Sequence, residues 1–247
     1  MQKLFSFFIV LFIGCNTIAQ VNLDSLWSIW NDSTQADTNR IKAMHKIAWN
    51  GYIYTYPDSA FYFAQMEYKL AESVNDRKRM TSALNTQATS FYFRSDFIKS
   101  IEYNSRSLKI SQEIGYKKGI SVTLNNISLS YYKLGDYAKS IDYLTKSVKI
   151  KEEMGNKKGV AISLNSIGMI YQDQANHSKS MDYLSRSLKI FEELEENHGI
   201  GNTLHNIGLL YKVQGDYAKS IDYFSRSLIF HEKVGDKISI ANNLGAI

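Results

Sequence analysis

Gly135-Asp136-Tyr137-Ala138-Lys139-Ser140-Ile141-Asp142-Tyr143 returns letter for letter at Gly215 to Tyr223. The echo belongs to a finer beat. Leu84, Leu124, Leu164, Leu204 and Leu244 stand forty residues apart, and Met44 holds the same place one period earlier. Ile47, Ile127, Ile167 and Ile207 keep the beat three residues on; Tyr131, Tyr171 and Tyr211 keep it again, with Phe91 one period upstream. Self-similarity at one fixed period marks a solenoid, in which each unit buries its apolar face only by stacking on its neighbours.

One period contains two helices. Leu124, Ile127, Ser128 and Tyr131 fall at i, i+3, i+4 and i+7, a single face of a 3.6-residue turn. Gly135 ends that helix and Asp136 caps the next. Ile141, Leu144 and Val148 then restart the period, with Tyr143, Ser147, Ile150 and Met154 as a second stripe alongside. Two stripes suit a helix that packs on its own partner and on the following repeat. Five periods fit (38–77, 78–117, 118–157, 158–197 and 198–237), and 238–247 opens a sixth. The first is the most divergent: Gly51 replaces the aromatic, and Pro57 sits where a first helical turn tolerates it. Leu23, Leu26, Trp27 and Trp30 predict an additional amphipathic helix within 20–37, capping that end. The half-finished sixth repeat predicts that the chain is part of a longer protein.

Two columns carry small side chains: Ser100, Ser140, Ser180 and Ser220, with Ala60 in the first repeat, and Ser107, Ser147, Ser187 and Ser227. Close helix crossing explains them better than modification does. Acid precedes base by four residues at Glu102/Arg106, Asp142/Lys146, Asp182/Arg186 and Asp222/Arg226, the favourable order for pairs along a helix. The net charge of +5 comes from 29 basic residues interleaved with 24 acidic ones, without the basic face a nucleic-acid reader needs. Lys117-Lys118 and Lys157-Lys158 read as solvated corners.

The first nineteen residues read as an export leader. Lys3 precedes an apolar run, Leu4 to Ile13, which is too short to span a bilayer, and Ala19 permits cleavage before Gln20. The alternative is a lipobox, Phe12-Ile13-Gly14-Cys15, which would leave an acylated Cys15. Both readings place the mature protein outside the cytosol, in the periplasm or cell envelope. Neither leaves a cysteine for a disulfide, so stability must come from stacking. No later stretch is apolar for long enough to cross a membrane.

The columns Leu164, Ile167-Gly168, Tyr171 and Leu204, Ile207-Gly208, Tyr211, followed by Ser180, Leu184, Ser187 and Ser220, Phe224, Ser227, resemble the tetratricopeptide repeat. The resemblance covers about 38–247. It departs from the family in its period, forty rather than 34, and in lacking a closing proline. In that respect it is similar to the arrays of kinesin light chain and of bacterial regulators. Gln87 and Asn104 occupy positions that are apolar in the family, so the second repeat should pack less well. The resemblance implies an all-α fold, a right-handed α-solenoid of stacked helix-turn-helix units whose first helices line a concave groove. On that face it places His45, Asn85, Asn125, Asn165 and His205, with Tyr52, Tyr92 and Tyr132 towards the ends of the same helices. An amide both donates and accepts, so a ladder of Asn can hold the backbone of an extended peptide. It can equally bridge neighbouring helices and bind nothing.

No Gly-rich phosphate loop, Gly-x-Ser-x-Gly elbow or mature cysteine nucleophile is present, and the histidines lack metal-ligand spacing. The sequence therefore points to an exported module that binds a protein or peptide, with no cofactor, no metal and no nucleic acid. The alternative is the sensor part of a larger signalling protein whose output module, a nucleotide cyclase, histidine kinase or DNA-binding domain, follows residue 247.

Overall fold

The computed structural model describes residues 22–247; the leader, and with it Cys15 and Gln20, lies outside them. Every regular element among the described residues is helical. Helix α1 (Leu23–Asn31) precedes α2 (Asp37–Lys46), which runs on into a π-helical turn, Ile47–Tyr52. Then follow α3 (Pro57–Ser73), α4 (Arg77–Phe93), α5 (Phe97–Glu113), α6 (Lys117–Lys133), α7 (Tyr137–Glu153), α8 (Lys157–Asp173), α9 (His177–Glu193), α10 (Asn197–Val213), α11 (Tyr217–Val234) and α12 (Lys237–Ala246). Successive helices pack as antiparallel neighbours, and the chain forms an all-α solenoid.

The turns explain this regularity. From α3 to α11 each helix ends in a residue of positive φ, at twenty-residue intervals from Asn75 to Gly235. The next residue closes the helix behind it: Asp136 N–H donates to the Tyr131 carbonyl (3.0 Å) and Gly135 N–H to that of Tyr132 (3.0 Å), the paired bonds of a left-handed C-cap. The same Asp136 then caps the helix ahead, its carboxylate accepting from Lys139 N–H at 3.1 Å. Asp76, Asp96, Asn156, Asn176, Glu196, Asp216 and Asp236 repeat the device. Tyr116 breaks it, having no side-chain cap bond.

Packing follows the columns. Leu84, Leu124, Leu164 and Leu204 are buried, as are Ile127, Ile167 and Ile207. Where the helices of a pair cross most closely, a glycine faces a large side chain: a Cβ on Gly208 would lie 2.7 Å from the Phe224 ring, and one on Gly168 would lie 2.8 Å from Leu184. The serine columns are structural. Ser107, Ser147, Ser187 and Ser227 are fully buried, and each hydroxyl donates to the backbone carbonyl 26 residues earlier, at 2.7–3.1 Å. A kinase cannot reach them.

Outside the core, each of three repeats stacks two tyrosines between two cations. Tyr171 and Tyr183 lie 5.5 Å apart at 25°, with Lys179 over one ring and Arg186 over the other, each 5.1 Å from its centroid. Tyr131/Tyr143 and Tyr211/Tyr223 repeat the arrangement. The helix ion pairs close at Asp142–Lys146, Asp182–Arg186 and Asp222–Arg226, at 2.6, 3.4 and 3.7 Å. Arg106 lies over Tyr103 instead.

The first repeat departs for a visible reason. Leu23 of α1 lies where a Cβ on Gly51 would stand, 2.8 Å away, and Trp27 meets Phe63 edge-on at 5.2 Å, so the extra helix occupies the space of the missing aromatic. In the second repeat Gln87 and Asn104 are both buried. Asn104 Nδ2 reaches Ser100 Oγ only at 3.5 Å, and its Oδ1 has no partner, which is the poorer packing their polarity implies.

Candidate ligand groove

The first helices of successive repeats, α6, α8, α10 and α12, form one wall of a groove of about 600 Å³. Its floor is apolar. Leu129, Met169 and Leu209, again forty apart, are half-buried along it. Polar groups flank that strip, mostly carboxamides: Asn125 and Asn126 on α6, Asn165 on α8, Asn202 and Asn206 on α10, Asn242 and Asn243 on α12. Lys212 is the one lining residue that carries a fixed positive charge, and no carboxylate lines the groove. A surface with an apolar floor, neutral hydrogen-bonding walls and one cation can hold the main chain of an extended segment while seating apolar side chains beneath it.

Four of the sequence-derived residues lie here: Asn125, Asn165, His205 and Tyr132. Their engagement differs. Asn165 Oδ1 accepts from Asn206 Nδ2 at 3.1 Å, and His205 Nδ1 lies 2.9 Å from Asn243 Oδ1, so both tie one repeat to the next. Burial lowers the His205 pKa, a trend its Asn243 bond opposes. Tyr132 donates to Asp173 at 2.6 Å; burial and that carboxylate push the phenol pKa up, and burial raises that of Asp173 as well. Asn125 Oδ1 is the exception, buried and without a hydrogen-bond partner.

The other four lie towards the N-terminal end, outside this groove. Asn85 Oδ1 accepts from Thr123 Oγ1 of the next repeat at 3.1 Å. His45 Nδ1 is 3.2 Å from Glu67 Oε2; Glu67 is fully buried, and burial pushes its pKa up while His45 draws it back. Tyr52 packs on Phe63 at 4.9 Å, and Tyr92 packs on Phe97 at 5.5 Å, with burial raising the Tyr92 phenol to about 12.

Reading by column missed the apolar strip, although its forty-residue spacing was available: Leu129, Met169 and Leu209 pass for core until the curvature of the stack turns them to the groove. It also missed Asn202 and Asn242, which stand forty apart, and Asn206 and Asn243, which fall in two further columns. Among the described residues no group of three or more His, Cys, Asp or Glu is placed to hold a metal, and no helix is long and apolar enough to cross a membrane.

The family profile described as the tetratricopeptide repeat matches residues 79–153 and 159–233. No curated protein matches the sequence. Among solved structures, BtubC (BKLC) from P. vanneervenii superposes with a TM-score of 0.70 at 17% identity, covering 86% of this chain and 88% of that one. Aspartyl phosphate phosphatase F from Bacillus subtilis gives 0.73 at 18%, covering 85% and 54%. NprR in complex with its cognate peptide NprX gives 0.65 at 13%, covering 90% and 64%. The chain thus spans less than two thirds of the latter two proteins, and at these identities the likeness is one of fold.

Proposed function

The chain belongs to the tetratricopeptide repeat family, and from that membership and the groove we propose that it is an exported protein-interaction module that holds an extended peptide against α6, α8, α10 and α12. The observation that carries the proposal is the pairing of a half-buried apolar strip, Leu129–Met169–Leu209, with a carboxamide wall in which Asn125 Oδ1 lacks a partner. A buried acceptor without a donor is costly, and a peptide N–H satisfies it. NprR, a structural neighbour, is a peptide-bound protein, which agrees with this use of the fold. The tetratricopeptide fold is generally non-catalytic, so binding is the activity to test.

The test uses an array of twelve-residue peptides probed with the purified protein and with Asn125→Ala and Met169→Glu variants. The wild type should capture a saturable subset, Asn125→Ala should weaken that capture roughly tenfold, and Met169→Glu should abolish it while circular dichroism stays helical. Equal capture by all three folded proteins sinks the groove. Export rests on the leader, and mass spectrometry of the mature protein decides its form: a free N-terminus at Gln20, or an acylated Cys15.

A further inference from the structure

His231 stands in a column with no fixed residue type. The equivalent positions hold Ala71, Ser111, Lys151 and Phe191, whereas His231, on α11, is fully buried at the far end of the groove. Room for its ring is made by Gly201 on α10, whose absent Cβ would stand 2.8 Å from Nε2. Neither ring nitrogen has a hydrogen-bond partner.

The groups around it bind α12 to α10. His198 on α10 donates from Nε2 to Asp236 Oδ2 (3.1 Å), and its Nδ1 accepts from Asn202 Nδ2 (3.1 Å). Asp236 is the N-cap of α12, and His231 Nδ1 lies 3.9 Å from the same carboxylate oxygen. His198 and His231 meet edge-on at 5.8 Å. His205 holds Asn243 two turns further along α12. The titratable groups facing His231 are therefore His198 and His205 from α10 and Asp236 from α12; on its own helix Glu232 and Lys233 are exposed.

We propose that His231, set among His198, His205 and Asp236, is an acid-sensitive latch that holds α12 against α10 and α11, so that this wall of the groove opens more readily on acidification than near neutral pH. The consequence for binding rests on the groove reading above; the latch does not. A neutral imidazole fits the dry pocket beside Gly201. A second proton would face only the Gly201 backbone and, 3.9 Å away, an Asp236 carboxylate already engaged by Ser239 and His198. Burial accordingly holds His231 down at about 4, despite the pull of Asp236. When α12 lifts, the ring meets water and regains its ordinary value near 6.5, so the open form binds more protons than the closed one between those values. Opening therefore grows as pH falls below 6.5. The wall it removes carries Asn242, Asn243 and Gly245.

Hydrogen exchange at the α12 amides tests the latch without any ligand. After correction for intrinsic rates, lowering the pH from 7.5 to 5.5 should raise the opening constant of 239–246 roughly tenfold in the wild type. The change should be clearly smaller in His231→Phe, which borrows the residue of the preceding repeat, the remainder coming from His205, whose pKa burial also lowers. His231→Gln gives the same reading if the larger ring does not fit. A wild-type protein with no pH response, or a response of undiminished size in both His231 variants, overturns the latch. A response lost in His198→Gln but kept in the His231 variants overturns it as well, by moving the switch to the neighbouring ring. Peptide capture by the array at pH 7.5 reports on the groove separately, so failure of one reading is not mistaken for failure of the other.

Discussion

Four of the nine turns with positive φ put a side chain where glycine is at ease: Asn75, Ser95, Ala175 and Glu195, at φ 54, 61, 55 and 52°. Asn tolerates the left-handed region, but Ala and Glu crowd their own carbonyl there. Ala175→Gly and Glu195→Gly should each stabilise the protein by about 0.5–1 kcal/mol, read as a higher urea midpoint at unchanged m-value. Lys151 presents the opposite kind of strain. It is buried, with Nζ donating to Ser163 Oγ at 2.7 Å, and burial pushes its amine down to about 8 from 10.5. Between those values the unfolded chain binds the extra proton, so this residue's penalty is full at pH 7 and fades as pH climbs through 8 towards 10.5. Lys151→Met should therefore stabilise by about 2–3 kcal/mol at pH 7 and by only about 1 kcal/mol at pH 10. A gain equal at both pH values would show that the lysine is not strained by burial. The sequence places Lys151 in its column but cannot reveal the burial, since a lysine in a helix is ordinarily solvated.

At the scale of the element, a helix is defined here by its two ends. One residue per turn finishes one helix and starts the next, which keeps the eight helices α3 to α10 at 17 residues apiece. Asp136→Ala should cost about 1 kcal/mol through the lost cap, and Tyr116, lacking the bond, marks a junction already weaker. The contact between paired helices is set by glycine: Gly208→Ala should cost about 1–3 kcal/mol in thermal unfolding, because the Phe224 ring stands 2.7 Å from the new methyl and is fully enclosed. These elements were legible in advance. Glycines, caps and a 3.6-residue apolar period are local signals, and 135–143 shows all three within nine residues. The π-helical turn Ile47–Tyr52 was not legible, since what accompanies it is the packing of α1 on Gly51.

For the whole molecule, stability is a sum over neighbours. Ion pairs between helices at Arg77–Glu113, Lys117–Glu153 and Lys158–Glu196 are partly exposed and add little each. The buried columns and the serine-to-carbonyl bonds dominate. Damage should then spread with distance: in Gly208→Ala, hydrogen-exchange protection should fall most in α10 and α11, less in α9 and α12, and hardly at all in α3 and α4. A uniform loss along the chain would mean that the solenoid unfolds as one cooperative block. The groove also belongs to this scale, because its lining comes from six helices, α6, α7, α8, α10, α11 and α12, brought together by the stack.

The sequence by itself determined the repeat, its pairing of helices, most of the buried apolar columns and the family, because each is written in contacts at fixed short spacing; Leu244, on register in its column, is exposed. Only the tertiary structure decided what the polar column does. Asn85, Asn165 and His205 bond to residues 38 to 41 positions away, Thr123, Asn206 and Asn243, and those partners differ from repeat to repeat. Asn125 has the same residue type and the same place in its helix, yet its amide oxygen is left unpaired in the groove. Periodicity assigns a side chain to a face; whether a neighbour on the next helix satisfies it depends on atoms a full repeat away.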